Sequence, residues 1–388
     1  MKAMLLAGGK GMRVRPITET VPKPMIPIVS RPLLEFLIDL LKQHGFDEIV
    51  ISTSYLADAI ETYFRHGARF GVQISYSFEG YTMNGCTVAE GRGSAGGLRQ
   101  VQEHSGFFDD TFAVLCGDAI CDVDLTAALA FHRERRALAT IILKDLPREQ
   151  VGSYGVVKTD ANGRILQFQE KPAPEEAVST TVNTGIYLFE PAIIDHIPPG
   201  ATFDIGKDLF PHLVKEGLPF YGVALPFSWI DISSAPDYWR ATQMILRGEF
   251  KVEMPGRELA PGIWGGINIA ADLAKVNIQP PVCIGSGTSI EPGATIIGPT
   301  VIGRNCQIES GARIEACVID DHTRLSGFAE VHEKIVSGHF CVDRHGQNID
   351  LAGAGYGFVI DDARERRSLT DNDRTLMDFL AHEHAPAG

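Results

Sequence analysis

A stretch of glycines followed by an arginine comes directly after the first apolar run of the chain. Gly8, Gly9, Gly11 and Arg13 stand just after Ala3–Ala7. Glycines let backbone N–H groups approach a phosphate closely and form an anion-binding nest, and a cationic side chain adds charge that backbone dipoles cannot supply. The pattern lacks the third glycine of a dinucleotide fingerprint and does not match a P-loop. Taken alone, it fits a tight turn with solvated cations equally well.

Two aspartates also stand just after apolar runs. Asp118 follows Phe112–Cys116 after one glycine, and Asp231 follows the apolar residues 226–230. Two carboxylates at strand ends can hold one Mg²⁺, which keeps several waters and bridges phosphate oxygens. A single aspartate is more often a turn residue or a helix cap, and we interpret Asp122 and Asp124 in that way.

Several further residues are suited to a phosphorylated sugar. Lys171 could bind its phosphate, and Asn183, which precedes a glycine and an apolar run, could form hydrogen bonds with its hydroxyls. Gly155, after Tyr154, could serve a similar purpose. Each also has a simpler interpretation, as a surface charge or a turn residue.

The elements that must position these residues alternate between apolar runs and helical patterns up to about residue 245. Buried strands are predicted at Ala3–Ala7, Glu48–Ser54, Phe112–Cys116 and Leu138–Leu143, and a helix is predicted to start just after Pro32. This alternation predicts an α/β fold with helices covering a parallel sheet. Ligands of such sheets bind at the carboxyl ends of the strands, where the residues above are expected.

The period changes in the C-terminal part. Isoleucines recur at six-residue spacing, and after a slip of one residue Ile319, Leu325 and Val331 continue the series. A hexapeptide repeat of this kind predicts a β-helix in which the aliphatic side chains stack inside. The isoleucines in strict register are Ile278, Ile284, Ile290, Ile296, Ile302, Ile308 and Ile314.

In their order and spacing, the segments GGKGMRVRP, VPKP, GD, EKP, NTGIY and WID resemble the sugar-nucleotide pyrophosphorylases. The resemblance is closest to mannose-1-phosphate guanylyltransferases with a C-terminal hexapeptide-repeat domain, and it covers nearly the whole chain. It implies a Rossmann-like mixed sheet followed by a left-handed parallel β-helix. It also implies Mg²⁺-dependent transfer of a nucleotidyl group from GTP to mannose 1-phosphate, which yields GDP-mannose and pyrophosphate.

The resemblance assigns roles to matching positions. The nucleotide-binding residues would be Leu6, Gly8, Gly9, Gly11, Arg13 and Gly96, the last in the base-binding run from Gly93 to Gly97. The catalytic residues would be Arg13, Lys23 and Asp118. The sugar-phosphate site would comprise Gly155, Glu170, Lys171 and Asn183, and the metal ligands would be Asp118 and Asp231.

The sequence departs from the family pattern at three places, and several functions stay open. Met12 replaces a threonine, Ser233-Ser234 replace Gly-Thr, and an insert, Gly80–Arg92, precedes the base-binding run. Glucose-1-phosphate thymidylyl-, uridylyl- and adenylyltransferases share the same motifs. A catalytically silent regulatory homologue is a further alternative. An acyltransferase in the β-helix would need a histidine base, for which the candidates are His322, His332 and His339.

Composition limits the classes of function. The net charge of −14 argues against a general nucleic-acid binder. The seven scattered cysteines form no CxxC pair, and no apolar stretch approaches the length of a membrane span. We therefore expect a cytoplasmic protein. The simplest role of the β-helix is association into a homo-oligomer or an allosteric contact. The expected domains are a catalytic domain at 1–248, a linker at 249–275, the β-helix at 276–345 and a partly helical tail at 346–388.

Overall fold

The computed structural model describes residues 1–83, 86–351, 353 and 355–365. The chain divides into two compact units. The first contains Met1–Pro27 and Arg31–Ser233, and the second contains Ile28–Ser30 and the chain from Ser234 onward. The predicted tail, expected to be partly helical, lies outside the described residues from position 366 onward. None of the helices in the described ranges is long and apolar enough to span a membrane.

The elements up to Ser233 include five α-helices: α1 (Leu33–Gln43), α2 (Ala57–Phe64), α3 (Ser94–Ser105), α4 (Leu125–Glu134) and α5 (Phe210–Lys215). The strands are β1 (Lys2–Leu6), β2 (Pro27–Ile28), β3 (Arg31–Pro32), β4 (Glu48–Thr53), β5 (Gln73–Phe78), β6 (Gly80–Met83), β7 (Cys86–Ala89), β8 (Phe112–Cys116), β9 (Ala119–Cys121), β10 (Ala139–Asp145), β11 (Gly155–Thr159), β12 (Ile165–Glu170), β13 (Thr181–Phe189), β14 (Phe220–Ala224) and β15 (Trp229–Asp231).

A nine-stranded mixed sheet forms the centre of the first unit. Its main path runs β12-β11-β13-β8-β1-β4-β5, and β10 joins it by pairing with β13 and β14. The pairs among β8, β1, β4 and β5 are parallel, as the alternation of strands and helices predicts. The strand β13 runs antiparallel to both β8 and β10. The sheet is therefore mixed, as the resemblance implied.

Both faces of this sheet are covered. Side chains alternate between the two faces of a strand. Accordingly, Ala3 and Leu5 of β1 belong to one apolar core, together with Leu37 of α1, whereas Met4 belongs to a second core with Leu98 of α3. Burial on both sides explains why the central strands are continuous apolar runs.

The insert before the base-binding run forms an antiparallel hairpin of β6 and β7. The hairpin follows β5 along the chain and forms a separate two-stranded sheet.

The second unit is a parallel β-helix that follows helix α6 (Ala235–Leu246). Its strands are β16 (Arg257–Ala260), β17 (Ile263–Gly265), β18 (Ala270–Ala271), β19 (Asn277–Gln279), β20 (Val282–Ile284), β21 (Ser289–Ile290), β22 (Thr295–Ile297), β23 (Thr300–Ile302), β24 (Gln307–Ile308), β25 (Arg313–Glu315), β26 (Val318–Ile319), β27 (Thr323–Leu325), β28 (Glu330–His332), β29 (Lys334–Val336), β30 (Phe340–Asp343), β31 (Asn348–Asp350) and β32 (Ile360–Asp362).

The repeated aliphatic residues stack on one another inside the coil. Ile284 pairs with Ile302 after 18 residues, and Ile302 pairs with Ile319 after 17 residues, so the slip seen in the sequence shortens one coil by one residue. Their side chains are at most 1% exposed. The coil ends where β32 pairs antiparallel with β27.

Helix α6 packs on the outside of this β-helix, against β23 and β29. The Trp239 indole N–H donates to the Ala316 carbonyl at 2.8 Å. The Ser234 hydroxyl accepts from the Asp237 N–H and caps the helix. Threonine, the residue of the family pattern at this position, is also a preferred N-cap, so serine keeps the same capping role.

Candidate active site

The glycine-rich loop leaves β1 and leads into a short 3₁₀ helix, Met12–Val14, which carries the exposed Arg13. Gly11 has a φ of +61°, and a Cβ there would lie 3.0 Å from the Lys23 Cβ. The Thr18 hydroxyl donates to the Gly11 carbonyl at 2.7 Å. The loop therefore needs glycine at this position, both for its left-handed backbone and for its close packing against Lys23.

The position of Asp118 depends on the glycine before it. The Gly117 N–H donates to the Leu6 carbonyl at 2.9 Å, and a Cβ on Gly117 would lie only 2.7 Å from that oxygen. Glycine thus lets the chain pass close to the end of β1, which places Asp118 beside the glycine-rich loop.

Asp231 is brought to Asp118 by a two-stranded ribbon. The strands β9 and β15 pair antiparallel with Asp231 opposite Ala119, and the Ile232 N–H donates to the Asp118 carbonyl at 2.9 Å. The Trp229 indole N–H donates to the Thr184 carbonyl at 3.1 Å, which anchors β15 to β13.

Lys23 lies between the two carboxylates. Its ammonium is 2.6 Å from an Asp118 oxygen and 3.9 Å from an Asp231 oxygen. The lysine side chain is only 10% exposed, so the pocket already holds one cation against two acidic groups. Carboxylate oxygens are the ligands that Mg²⁺ prefers. No third His, Cys, Asp or Glu completes a metal cluster within the described ranges, so Asp118 and Asp231 are the two carboxylates available to a cation beside Lys23.

Of the predicted sugar-phosphate residues, Gly155 lies on β11, Glu170 on β12 and Asn183 on β13, and Lys171 directly follows β12. The Lys171 ammonium is 3.6 Å from a Glu170 carboxylate oxygen. Burial raises the pKa of Glu170, while Lys171 opposes this shift and Asp204 reinforces it. The Asn183 side chain donates to the Tyr187 hydroxyl at 3.0 Å and accepts from the Gly185 N–H at 2.9 Å.

Most of the predicted residues line one cavity of about 450 Å³ in the first unit. Those lining it are Leu6, Gly9, Arg13, Lys23, Asp118, Gly155, Glu170, Lys171, Asn183 and Asp231. Gly8, Gly11 and Gly96 are not among its lining residues. Gly8 faces Ser54 and Glu79, and the Gly96 N–H donates to the Phe203 carbonyl.

Cys116 also lines the cavity, but it is unsuited to act as a nucleophile. Burial raises the pKa of its thiol, and the nearby Asp118 and Asp231 raise it further. The thiolate is the reactive form of cysteine, so this residue stays protonated and packs as an apolar side chain.

Sequence reasoning missed two acidic residues, Glu79 beside Gly8 of the glycine-rich loop and Asp204 in the wall of the cavity. Glu79 is 8% exposed and accepts hydrogen bonds from the Ser52 hydroxyl and the Arg92 N–H. Burial raises the pKa of Glu79. Asp204 lines the cavity and accepts from the Ser94 hydroxyl at 2.8 Å. The only signal for Asp204 was its place before a helical pattern, where an aspartate is an ordinary cap.

Comparison with known proteins identifies the family. The model of the nucleotidyl transferase family matches residues 2–248. The chain belongs to this family, as a sugar-1-phosphate nucleotidyltransferase. The match extends over α6, which belongs to the second compact unit.

Two relatives and one solved structure give further detail. A UTP–glucose-1-phosphate uridylyltransferase of Synechocystis sp. is 56% identical over 365 residues, 94% of each chain. A mannose-1-phosphate guanylyltransferase of Mycobacterium tuberculosis is 31% identical over 83% of this chain and 80% of its own. HddC from Yersinia pseudotuberculosis has the same fold in its crystal structure, with a TM-score of 0.52 at 23% identity over 63% of this chain and 99% of that chain.

Proposed function

We propose that the chain transfers a uridylyl group from UTP to glucose 1-phosphate, forming UDP-glucose and pyrophosphate. The observation that carries this proposal is the 56% identity with a UTP–glucose-1-phosphate uridylyltransferase over 94% of both chains. The arrangement of the cavity supports the reaction type, because cations and acidic groups from separate segments line a single space. The uridylyl alternative left open by the motifs thus has more support than GTP and mannose 1-phosphate.

The reaction needs no protein nucleophile. An oxygen of the sugar phosphate attacks the α-phosphorus of UTP, a new P–O bond forms, and the bond to the bridging oxygen of pyrophosphate breaks. The second pKa of a phosphomonoester is about 6, so the attacking group is largely ionised at neutral pH. The main obstacle is to bring two polyanions together and to stabilise the charge on the leaving group.

The side chains in the cavity address that obstacle. In our proposal, Arg13 and the glycine-rich loop bind the triphosphate, and Lys171 binds the sugar phosphate. Lys23 offsets charge near the reacting phosphorus. Asp118 and Asp231 would hold Mg²⁺, which would neutralise phosphate charge when bound. Preorganised charges of this kind are effective because they cost no reorganisation during the reaction.

A pyrophosphate-release assay over a substrate panel tests the proposal. UTP, GTP, dTTP and ATP are each paired with glucose 1-phosphate and mannose 1-phosphate. We expect UTP with glucose 1-phosphate to give the highest kcat/KM, by about tenfold or more over the other pairs. A higher kcat/KM for GTP with mannose 1-phosphate would establish the function of the more distant Mycobacterium relative instead. Absence of release with every pair would favour a silent regulatory homologue.

The acyltransferase alternative gains no support from the geometry of its histidines. His332 lies 3.7 Å from Glu315 and 3.6 Å from Glu333, and His339 lies 3.6 Å from Asp362. Both are more than half exposed on the β-helix. These are ordinary environments for surface histidines next to acidic side chains.

A further inference from the structure

The first turn of helix α3 is bound to a segment that lies far away in the sequence. The N–H groups of Ala95 and Gly96 both donate to the Phe203 carbonyl, at 3.0 and 2.9 Å. Gly93 permits this approach, because its φ is +75° and a Cβ there would lie 2.4 Å from the same oxygen. The run that resembles the base-binding motif is therefore fixed against the segment around Phe203.

Two side chains extend this connection. The Ser94 hydroxyl donates to one Asp204 oxygen at 2.8 Å, across 110 residues of sequence, and accepts from the Ile205 N–H at 2.8 Å. The other Asp204 oxygen accepts from the N–H groups of Gly206 and Lys207, both at 2.9 Å. One carboxylate thus joins the start of α3 to the turn that follows Asp204.

That turn forms a wall of the sugar-phosphate side of the cavity. Ile205 and Gly206 line the cavity together with Glu170 and Lys171. A Cβ on Gly206 would lie 2.8 Å from a Glu170 oxygen, so the Glu170 carboxylate packs directly against the backbone of the turn. A shift of the turn would change the space beside Glu170.

We propose that Ser94 and Asp204 are positioning residues that couple the nucleotide subsite to the sugar-phosphate subsite. This inference rests on the proposed function. Ser94 lies in the run that resembles the base-binding motif, and the turn held by Asp204 lines the cavity beside Glu170 and Lys171. Ordering of the start of α3 by the nucleotide preorders the turn on the sugar side through the shared carboxylate, so the binding of the two substrates is coupled.

The test compares the two Michaelis constants in Ser94 variants. Ser94→Ala removes the hydroxyl, and we expect the KM for glucose 1-phosphate to rise by about tenfold, the effect of losing a hydrogen bond to a charged group, while the KM for UTP changes less. Ser94→Thr keeps the hydroxyl and should restore the KM to near the wild-type value. Ser105→Ala is the matched control, because Ser105 ends the same helix and donates only to the Val101 carbonyl.

A double-mutant cycle separates coupling from general damage. Asp204→Asn keeps the shape of the side chain and removes its charge. If both residues act through one connection, Ser94→Ala combined with Asp204→Asn should raise the KM for glucose 1-phosphate hardly more than the stronger single variant. The proposal would be overturned if the KM increases of the two single variants multiplied in the double variant. It would also be overturned by a change confined to the KM for UTP, or by a Ser94→Thr variant that did not restore the KM for glucose 1-phosphate.

Failure of the proposed function would be recognised separately. If the wild type prefers another substrate pair, the same comparison is made with that pair, and the coupling is judged on it. If the wild type transfers nothing, calorimetric titration of glucose 1-phosphate with and without UTP measures the coupling directly. An affinity for the sugar phosphate that UTP leaves unchanged in the wild type would then overturn it.

Discussion

At the scale of single residues, the site works through charge held in fixed positions. The Lys23 ammonium lies within 4 Å of both Asp118 and Asp231, and these groups come from three separate segments. Because the lysine is nearly buried, its charge is poorly screened and acts strongly on nearby groups. In the proposed function, Asp118 and Asp231 would hold the metal, and Lys23 would remain as a cation for phosphate.

Replacement of Asp118 tests the metal assignment. In Asp118→Asn a neutral amide takes the place of the carboxylate, so we expect kcat to fall on the order of 10²-fold, the scale of one lost electrostatic stabiliser. The Mg²⁺ concentration for half-maximal rate should also rise. Pyrophosphate release measured across an Mg²⁺ titration gives both quantities. Asp58→Asn, on the exposed side of helix α2, is the control, and a wild-type Mg²⁺ dependence in Asp118→Asn would contradict the assignment.

At the scale of elements, periodic patterns predicted local structure, whereas the pairing of distant segments was either suggested by the family resemblance or not predicted at all. The spacing of Ile284, Ile302 and Ile319 predicted the β-helix and even the shortened coil, since each residue repeats one local environment. The proximity of Asp118 and Asp231 depends on the pairing of β9 with β15, and no periodicity encodes that pairing. The same holds for Ser94 and Asp204, because a hydrogen bond across 110 residues leaves no local pattern.

The β-helix contains a carboxyl group whose ionisation should affect stability. Burial raises the pKa of Asp320 to about 6, partly opposed by the Asp321 N–H. The folded chain therefore holds this proton more tightly than the unfolded chain. Its contribution to the free energy of unfolding is fully present below about pH 4 and is lost as the pH rises through about 6.

Asp320→Asn removes this titration while keeping the shape of the side chain. Between pH 4 and 7, we expect the free energy of unfolding of the wild type to fall relative to that of the variant by about 3 kcal/mol, the equivalent of a shift of roughly two pH units. Urea unfolding at several pH values measures the difference, and Asp272→Asn on the β-helix surface serves as the control. Parallel pH curves for wild type and Asp320→Asn would show that burial does not perturb this group.

At the scale of the whole molecule, the substrates and the chain carry charge of the same sign. The net charge is −14, yet both proposed substrates are polyanions. Binding must therefore depend on the local field of the cavity, where Arg13, Lys23 and Lys171 come together.

Each unit also has an apolar core of its own, and the cavity belongs to the first.

Ligand binding should consequently raise the Tm of the protein, and the size of the increase should depend on the base of the nucleoside triphosphate. A ligand at 100 times its Kd stabilises the folded state by about 2.7 kcal/mol, and each kcal/mol raises Tm by about 2–4 °C for a domain of 150–250 residues. With Mg²⁺ present, we expect UTP to raise Tm more than equal concentrations of GTP, dTTP or ATP. Arg13→Ala should reduce the UTP shift, because it removes a cation from the triphosphate. Lys171→Ala should keep the UTP shift and lose the one from glucose 1-phosphate. Equal Tm shifts with all four triphosphates would mean that the cavity recognises phosphate charge and does not discriminate between bases. That result would contradict the uridylyl assignment without contradicting the proposed reaction type.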